Sequence, residues 1–240
     1  ETGTVNYSYN GDGTLATKFD ASHQMVKYSY DSYKRLTLVQ RYPANSVTED
    51  LSQRTTLYYD SNPFSGTFSS YTSGRLAAVT YSTAYNSGLN QQGPQFAEWY
   101  SYHPAGAKTA KRVRVGTLNL DASYRYDTEG RMSQVTYPTT IDSSGGSHPG
   151  PVYNYGFDSL GRPNALTDQS STSWVSGVTY GAANELKTMS YFGANETRSY
   201  NTRLQLTSLN GITYNYPAGG SKHRQALIAS GERRDHHVCL

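Results

Sequence analysis

Apolar and aromatic residues in this chain recur at every second position, in short runs broken by polar and glycine-containing stretches. The clearest example is Tyr124-Arg125-Tyr126-Asp127-Thr128-Glu129-Gly130-Arg131-Met132-Ser133-Gln134-Val135-Thr136-Tyr137. Tyr124 and Tyr126 stand two apart and share one face of an extended chain. Asp127 can fold its carboxylate back onto nearby backbone amides, which favours a turn. Gly130 can take the positive φ that closes such a turn without a Cβ clash. Alternation resumes from Arg131 and stops at Pro138, which cannot donate to a ladder. The pattern predicts a β-hairpin.

The same pattern returns along the chain. Val5 to Leu15 carries Tyr7, Tyr9, Asn10 and Gly13; Val26 to Val39 carries Tyr28, Tyr30, Asp31, Arg35 and Leu36. Tyr58, Tyr59 and Asp60 open a third copy, stretched by Pro63 and Gly66, that resumes at Gly74, Arg75, Leu76 and Val79. A Gly/Gln/Asn-rich loop follows over roughly 86–94, then a degenerate copy from Trp99 to Gly106. Beyond Tyr126 come Tyr153 to Arg162, with Phe157, Asp158 and Gly161, and then copies anchored on Tyr180 and Tyr200 and one starting at Thr213. The Tyr200 copy reads as truncated in its turn, with Arg203 and Leu204 in the Arg-Leu places. Residues 143–151 read as a Ser/Gly/Pro/His loop without periodicity, and Pro163 as a weakness in its strand. Successive anchors are separated by 20 to 43 residues, a base period of about twenty lengthened by insertions. Such a period marks an array in which each unit buries its face against its neighbours.

Composition agrees with this pattern. The chain has 240 residues, with 23 Tyr against 6 Phe and 2 Trp, and 22 Gly. Tyrosine suits a pleated, half-buried surface, and no stretch sustains helical spacing. A net charge of +3 points to neither nucleic acid nor a membrane surface. Residues 221–240 hold Lys222, Arg224, Arg233 and Arg234 against Glu232 and Asp235, a balance of +2 that leaves +1 elsewhere. The single Cys239 rules out an internal disulfide, and no apolar run reaches membrane-spanning length. The chain begins in mid-pattern without an initiator Met, which predicts a fragment of something longer.

The unit Tyr-Asp-x-x-Gly-Arg-Leu-x-x-Val resembles the YD repeat of RHS proteins. It is matched at Tyr30, Asp31, Arg35, Leu36 and Val39, and at Tyr126, Asp127, Gly130, Arg131, Met132 and Val135. Partial matches stand at Tyr59 and Asp60, at Gly74, Arg75, Leu76 and Val79, and at Phe157, Asp158, Gly161 and Arg162. The resemblance covers roughly residues 5–216. It implies a hollow β-shell of the kind found in RHS toxins, toxin-complex components and teneurins. In the bacterial toxins that shell encloses a cleaved C-terminal effector. The family's self-cleaving aspartyl core and an effector domain have no counterpart in this sequence, so the resemblance implies wall without plug or cargo.

Candidate chemistry reduces to geometry on this reading. Asp31, Asp60, Asp127 and Asp158 are the carboxylates a glycosidase pair would draw on, but each holds the same turn position of its repeat. Asn10-Gly11-Asp12-Gly13 lacks the acidic ligands of a full calcium loop. His223, His236, His237 and Cys239 lack a second cysteine at zinc spacing. Lys108, Lys111, Arg112 and Arg114 are expected on a solvated sheet face, and Arg75, Arg131 and Arg162 over neighbouring rings. No nucleophile elbow, phosphate loop or paired-histidine motif is present.

The expectation is therefore an all-β protein of tandem antiparallel β-hairpin repeats, forming a curved, shell-like twisted sheet. Because Leu and Val positions of the repeat stand three apart, they fall on opposite faces unless a bulge intervenes. Residues 1–219 are expected to be one repeat array and residues 220–240 an atypical basic tail, disordered or frameshifted. The expected function is a structural shell segment of a secreted or cell-surface protein, with no catalysis, no cofactor and no metal. Expected partners are flanking repeats or an encapsulated effector, without nucleic acid or a membrane span. An adhesive, glycan-binding surface built from exposed tyrosines is the alternative, and a glycoside-acting enzyme a third reading.

Overall fold

The computed structural model describes residues 3–82, 85–86, 91–92, 96–216 and 227–229. The expectations for the tail beyond 219 concern residues that, apart from the strand at 227–229, lie outside those described. Among the described residues the regular structure is strand throughout, except for one 3-10 turn at Leu51–Gln53. The chain divides into two compact units, one of Glu1–Arg131 and Val135–Gly150, the other of Met132–Gln134 and Pro151–Leu240.

In the first unit the strands are β1 (Asn6–Tyr9), β2 (Leu15–Phe19), β3 (Met25–Tyr30), β4 (Leu36–Tyr42), β5 (Thr55–Tyr59) and β6 (Leu76–Tyr81). A separate ribbon of β7 (Tyr85–Asn86) and β8 (Gln91–Gln92) interrupts them. The meander then resumes with β9 (Phe96–Tyr102), β10 (Lys108–Val115) and β11 (Leu118–Tyr126). Each strand pairs antiparallel with the one before it, and β9 pairs with β6. Strand β12 (Met132–Thr136) is divided between the units. The stretch 143–151, read as an aperiodic loop, instead contains β14 (Ser147–His148), which pairs with β13 (Thr140–Ile141) just before it across a turn that starts at Asp142.

The second unit repeats the arrangement with β15 (Val152–Phe157), β16 (Pro163–Asp168), β17 (Ser173–Tyr180) and β18 (Leu186–Tyr191). It continues through β19 (Ala194–Tyr200), β20 (Leu206–Leu209), β21 (Ile212–Asn215) and β22 (Leu227–Ala229). All neighbours are antiparallel. The all-β, tandem-hairpin expectation is what the structure shows. Pro163 does not weaken its strand: it is the first residue of β16, a place where a missing N–H costs no ladder bond.

The best-buried part of the first unit is β6 with β9. Ala77, Ala78, Val79 and Thr80 are consecutive and all buried, so both faces of this strand are covered. On one face Tyr58, Ala78, Trp99 and Arg112 stand opposite one another across four strands. The insertion at 60–75 folds over that row. Phe64 stacks on Trp99 at 6.1 Å and 4°, and Phe68 meets it edge-on at 5.9 Å. On the other face Val79, Tyr100 and Tyr102 pack with Leu57 and Leu76.

Leu76 and Val79 thus share a face although three apart, because a bulge intervenes. Tyr59 pairs with Leu76 but Tyr58 with Ala78, leaving Ala77 unpaired. The same slip follows the turn after Tyr9, Tyr30, Tyr102, Phe157, Tyr180 and Tyr200, with Ala16, Thr37, Thr109, Asn164, Lys187 and Thr207 as the extra residues. One inserted residue resets the period-2 alternation, which places both apolar positions of the repeat on one side.

Candidate interaction surface

Ten of the described turns have one backbone form. The first residue accepts from the N–H of the fourth and donates its own N–H to the carbonyl of the fifth. The fourth residue is left-handed in all ten: Gly13, Gly106, Gly130, Gly145 and Gly161, and also His23, Lys34, Ser171, Asn184 and Leu204. This is a type I turn closed by a left-handed residue, a common three-residue hairpin loop. The Tyr200 copy is therefore not truncated. Leu204 occupies the glycine position at φ 59° and Leu206 stands opposite Tyr200.

An aspartate at the first position adds two more bonds. Asp31 Oδ1 accepts from the N–H of Tyr33 and of Arg35, both at 2.9 Å, and Asp127 and Asp158 do the same in their turns. The second carboxylate oxygen takes the guanidinium four residues on: Asp31–Arg35 at 2.7 Å, Asp127–Arg131 at 2.6 Å and Asp158–Arg162 at 2.7 Å. Asn201 makes the same two amide contacts and pairs with Gln205 instead of an arginine. Even His103 substitutes, its Nδ1 accepting from Ala105 N–H at 3.2 Å. Asp20, Asp142 and Asp168 build the same turn at places outside the tyrosine repeat. Their signal, an aspartate followed four residues later by a resumed strand, was present in the sequence.

Side chains of the repeat also join several hairpins to the next. Arg35 reaches forward to Asp60, with Nη2 to Oδ2 at 2.6 Å, and lies over the Tyr59 ring at 4.5 Å. Arg162 reaches Asn184 at 3.0 Å and covers Tyr180 at 4.4 Å; Arg75 lies 5.6 Å from the Tyr102 centroid. In the opposite direction a tyrosine hydroxyl donates to the carbonyl that follows the preceding turn. Tyr102 donates to Leu76, Tyr126 to Lys108, Tyr180 to Pro163 and Tyr216 to Leu206, at 2.6 to 2.9 Å. In each case the accepting residue is the one that opens the returning strand, beside the bulge. That is where the ladder is disrupted and a carbonyl is open to another donor.

These contacts set the local electrostatics. Hydrogen bonds from Arg35, then from Gly74 N–H, hold the Asp60 carboxyl below its ordinary range. Partial burial pushes Asp31 and Asp127 up, but bonds from Arg35 and Arg131 outweigh it and leave both lowered. Asp158 is lowered chiefly by the Arg162 N–H. On the β9 face, burial and then the Glu98 carboxylate raise the Tyr100 hydroxyl far above the phenol range. Tyr100 donates to Glu98, which also takes Lys111 Nζ at 3.1 Å.

Within the basic cluster, Arg112 packs on rings instead of standing free in solvent, whereas Lys108 is exposed. Arg112 lies over Phe68 at 4.6 Å and Trp99 at 5.2 Å and makes a bidentate pair with Asp121 at 2.6 Å. Its stem and plane close the aromatic row, so its charge serves packing. Arg114 donates to Gly116 O. Asp31 and Asp60 do not face each other across an open cleft; both are tied to Arg35. A shallow groove of about 250 Å³ beside them is lined by Thr37, Leu57, Tyr58 and Pro63. His223, His236, His237 and Cys239 lie outside the described residues. Among the described residues no three His, Cys, Asp or Glu side chains stand together as a metal site, and no helix is long and apolar enough to cross a membrane.

No family model and no curated protein matches this chain. Solved structures do. A chain in the crystal structure of TcdB2-TccC3-Cdc42 aligns at a TM-score of 0.67 and 12% identity over 90% of this chain. The crystal structure of TcdB2-TccC3 aligns at 0.66 and 14%, and the Photorhabdus luminescens Tc holotoxin pore at 0.65 and 14%, each over 90%. At such identity the likeness is one of fold. This chain spans 11% of the length of each of those chains.

Proposed function

We propose that residues 1–219 form a stretch of structural wall, built of YD-type hairpins as in toxin-complex and RHS shells, within a secreted or cell-surface protein. The observation that carries this reading is the contact between successive hairpins, made in both directions at Arg75 with Tyr102 and at Arg162 with Tyr180. Motif residues of chemically capable types are spent on it: aspartates on turn amides, arginines on the next turn, tyrosine hydroxyls on the previous strand. The fold likeness to toxin-complex chains supports the same reading. Catalysis has no place in it, and neither does a cofactor.

Flanking repeats are the partner this wall implies, with an enclosed effector behind them. Strand β1 offers half of a hairpin contact. Its outer edge has no strand partner among the described residues, and Tyr9 there is 64% exposed. It carries no charge, proline or inward-pointing lysine of the kind that blunts edges. A synthetic hairpin with the sequence 24–42, whose Arg35 would lie over Tyr9, tests this. Hydrogen exchange should show β1 amides protected on saturable addition. An Arg35→Ala peptide should bind about fivefold more weakly, as expected for a partly exposed cation–π contact. Absence of any β1 protection by the unsubstituted peptide would sink the reading.

A further inference from the structure

The turn Asn10-Gly11-Asp12-Gly13 carries a chemistry that the wall does not use. A glycine after asparagine or aspartate leaves its amide nitrogen unshielded by a side chain. That nitrogen can attack the side-chain carbonyl carbon and close a five-membered imide, which makes such asparagines labile. The chain has three dipeptides of this type: Asn10-Gly11, Asp12-Gly13 and Asn210-Gly211. They look alike in sequence, and the fold separates them.

At Asn210-Gly211 both residues are left-handed, with φ 49° and 85°, in the tight turn between β20 and β21. Asn210 is fixed to β19: its N–H donates to Thr197 O at 3.0 Å, and its Oδ1 accepts from Thr197 N–H at 2.8 Å. That second bond must break before the side-chain carbonyl can turn to Gly211 N. At Asp12-Gly13 the nucleophile is tied, because Gly13 N–H donates to Asn10 O at 3.0 Å. The electrophile is poor as well. Hydrogen bonds from the Thr14 hydroxyl and N–H hold the Asp12 carboxyl below its ordinary range, and imide closure there requires the protonated acid.

Asn10-Gly11 lacks these restraints. Asn201 gives its Oδ1 to two turn amides, whereas Asn10 leaves the Thr14 N–H to Asp12 and only donates, from Nδ2 to Thr14 Oγ1 at 2.9 Å. Among the described residues neither Asn10 Oδ1 nor Gly11 N–H has a hydrogen-bond partner. Asn10 is exposed, and the space around Gly11 is open.

We propose that Asn10 is a deamidation site of the folded protein, at which the chain modifies its own first turn. Gly11 N bonds to Asn10 Cγ as the Cγ–Nδ2 bond breaks, and the Gly11 amide proton leaves with that nitrogen as ammonia. Water then opens the imide. Attack at Cγ gives aspartate, the residue of the Asp31 and Asp127 turns; attack at the α-carbonyl gives isoaspartate. Isoaspartate routes the main chain through the former side chain and lengthens it by a carbon. This happens inside the turn that Asn10 N–H and Asn10 O both close, so the β1–β2 hairpin loses the geometry that sets its register. The site is independent of the wall reading.

The test incubates the full chain in mildly alkaline buffer and maps deamidated and isoaspartyl peptides by mass spectrometry, with a sample in urea as reference. Folded, Asn10 should react about tenfold faster than Asn210, the ratio expected when one hydrogen bond must break first. In urea the gap should close. Gly11→Ala should slow the reaction at Asn10 severalfold and still fold, since φ there is not left-handed and a Cβ meets nothing. Chains carrying isoaspartate at position 10 should lose hydrogen-exchange protection in β1, whereas Asn10→Asp should keep it. The proposal is overturned by equal folded rates at Asn10 and Asn210, by a faster reaction at Asn210 or Asp12, or by the same ratio in urea as in buffer. Full β1 protection in the isoaspartyl chain would overturn its structural half.

Discussion

A tyrosine in this molecule contributes a ring to one neighbour and a hydroxyl to another, and the two can be separated experimentally. Tyr180→Phe keeps the ring under Arg162 and removes the bond to Pro163 O. It should lower stability by about 0.5–1.5 kcal/mol in urea unfolding, whereas Tyr33→Phe at a 78% exposed ring should stay within about 0.5 kcal/mol. Asp127→Asn should be mild, since Asn201 already makes the same two amide contacts. Gly130→Val should cost about 1–2 kcal/mol, because φ is 79° there and only the backbone is strained, the space around it being open. The lowered carboxyls fix a pH dependence. Asp31, Asp60, Asp127 and Asp158 bind protons more weakly folded than unfolded, so their contribution is complete above the ordinary value of 3.8 and is lost as pH falls through the folded values. Melting temperatures should fall from about pH 4 downward, less steeply for Asp127→Asn. The turn residues were legible where aspartate and glycine stand together, as at Asp127 and Gly130. They were not at Leu204, because a leucine forced left-handed by its neighbours looks in sequence like the start of the next strand.

At the scale of the element, each hairpin is defined by its bulge as much as by its turn. Strict alternation read from the sequence puts Leu76 and Val79 on opposite faces; the unpaired Ala77 puts them together. No single residue announces a bulge at that place, since alanine, threonine, asparagine and lysine all serve. The insertion at 60–75 was visible as an interruption, but its packing on Trp99 was not, because that depends on residues more than thirty positions apart in sequence. It should behave as part of the core. Phe68→Ala is expected to cost about 3 kcal/mol by calorimetry, more than a surface-loop substitution. Arg112→Ala should destabilise even at high salt, where its pair with Asp121 is screened, because the packed stem and plane are lost as well.

Across each unit the strands follow chain order without a crossover, so every hairpin touches its immediate neighbours. Stability then behaves as a sum of local terms with nearest-neighbour coupling. Ser8→Pro in the outermost strand should leave hydrogen-exchange protection in β5, β6 and β9 unchanged. Thr80→Pro, in a strand paired on both sides, should abolish protection throughout the first unit. All-β class and tandem organisation could be read from the tyrosine spacing because each unit is local. The strand within residues 143–151 escaped because its hairpin with 140–141 is short and carries no aromatic.

The hydroxyl and guanidinium contacts also give the series a direction. Where these contacts occur, arginine faces the hairpin that follows and tyrosine the carbonyl of the hairpin before, so such a unit has a front unlike its back. Two fronts cannot meet, since two guanidinium groups would share one turn, and two backs would set hydroxyl against hydroxyl with both carbonyls bare. Growth by duplication of whole hairpins preserves this polarity, while inversion of one destroys it. The series is in this sense vectorial, and a lengthened version would add hairpins in one sense of the chain without any change to the residues at its joints.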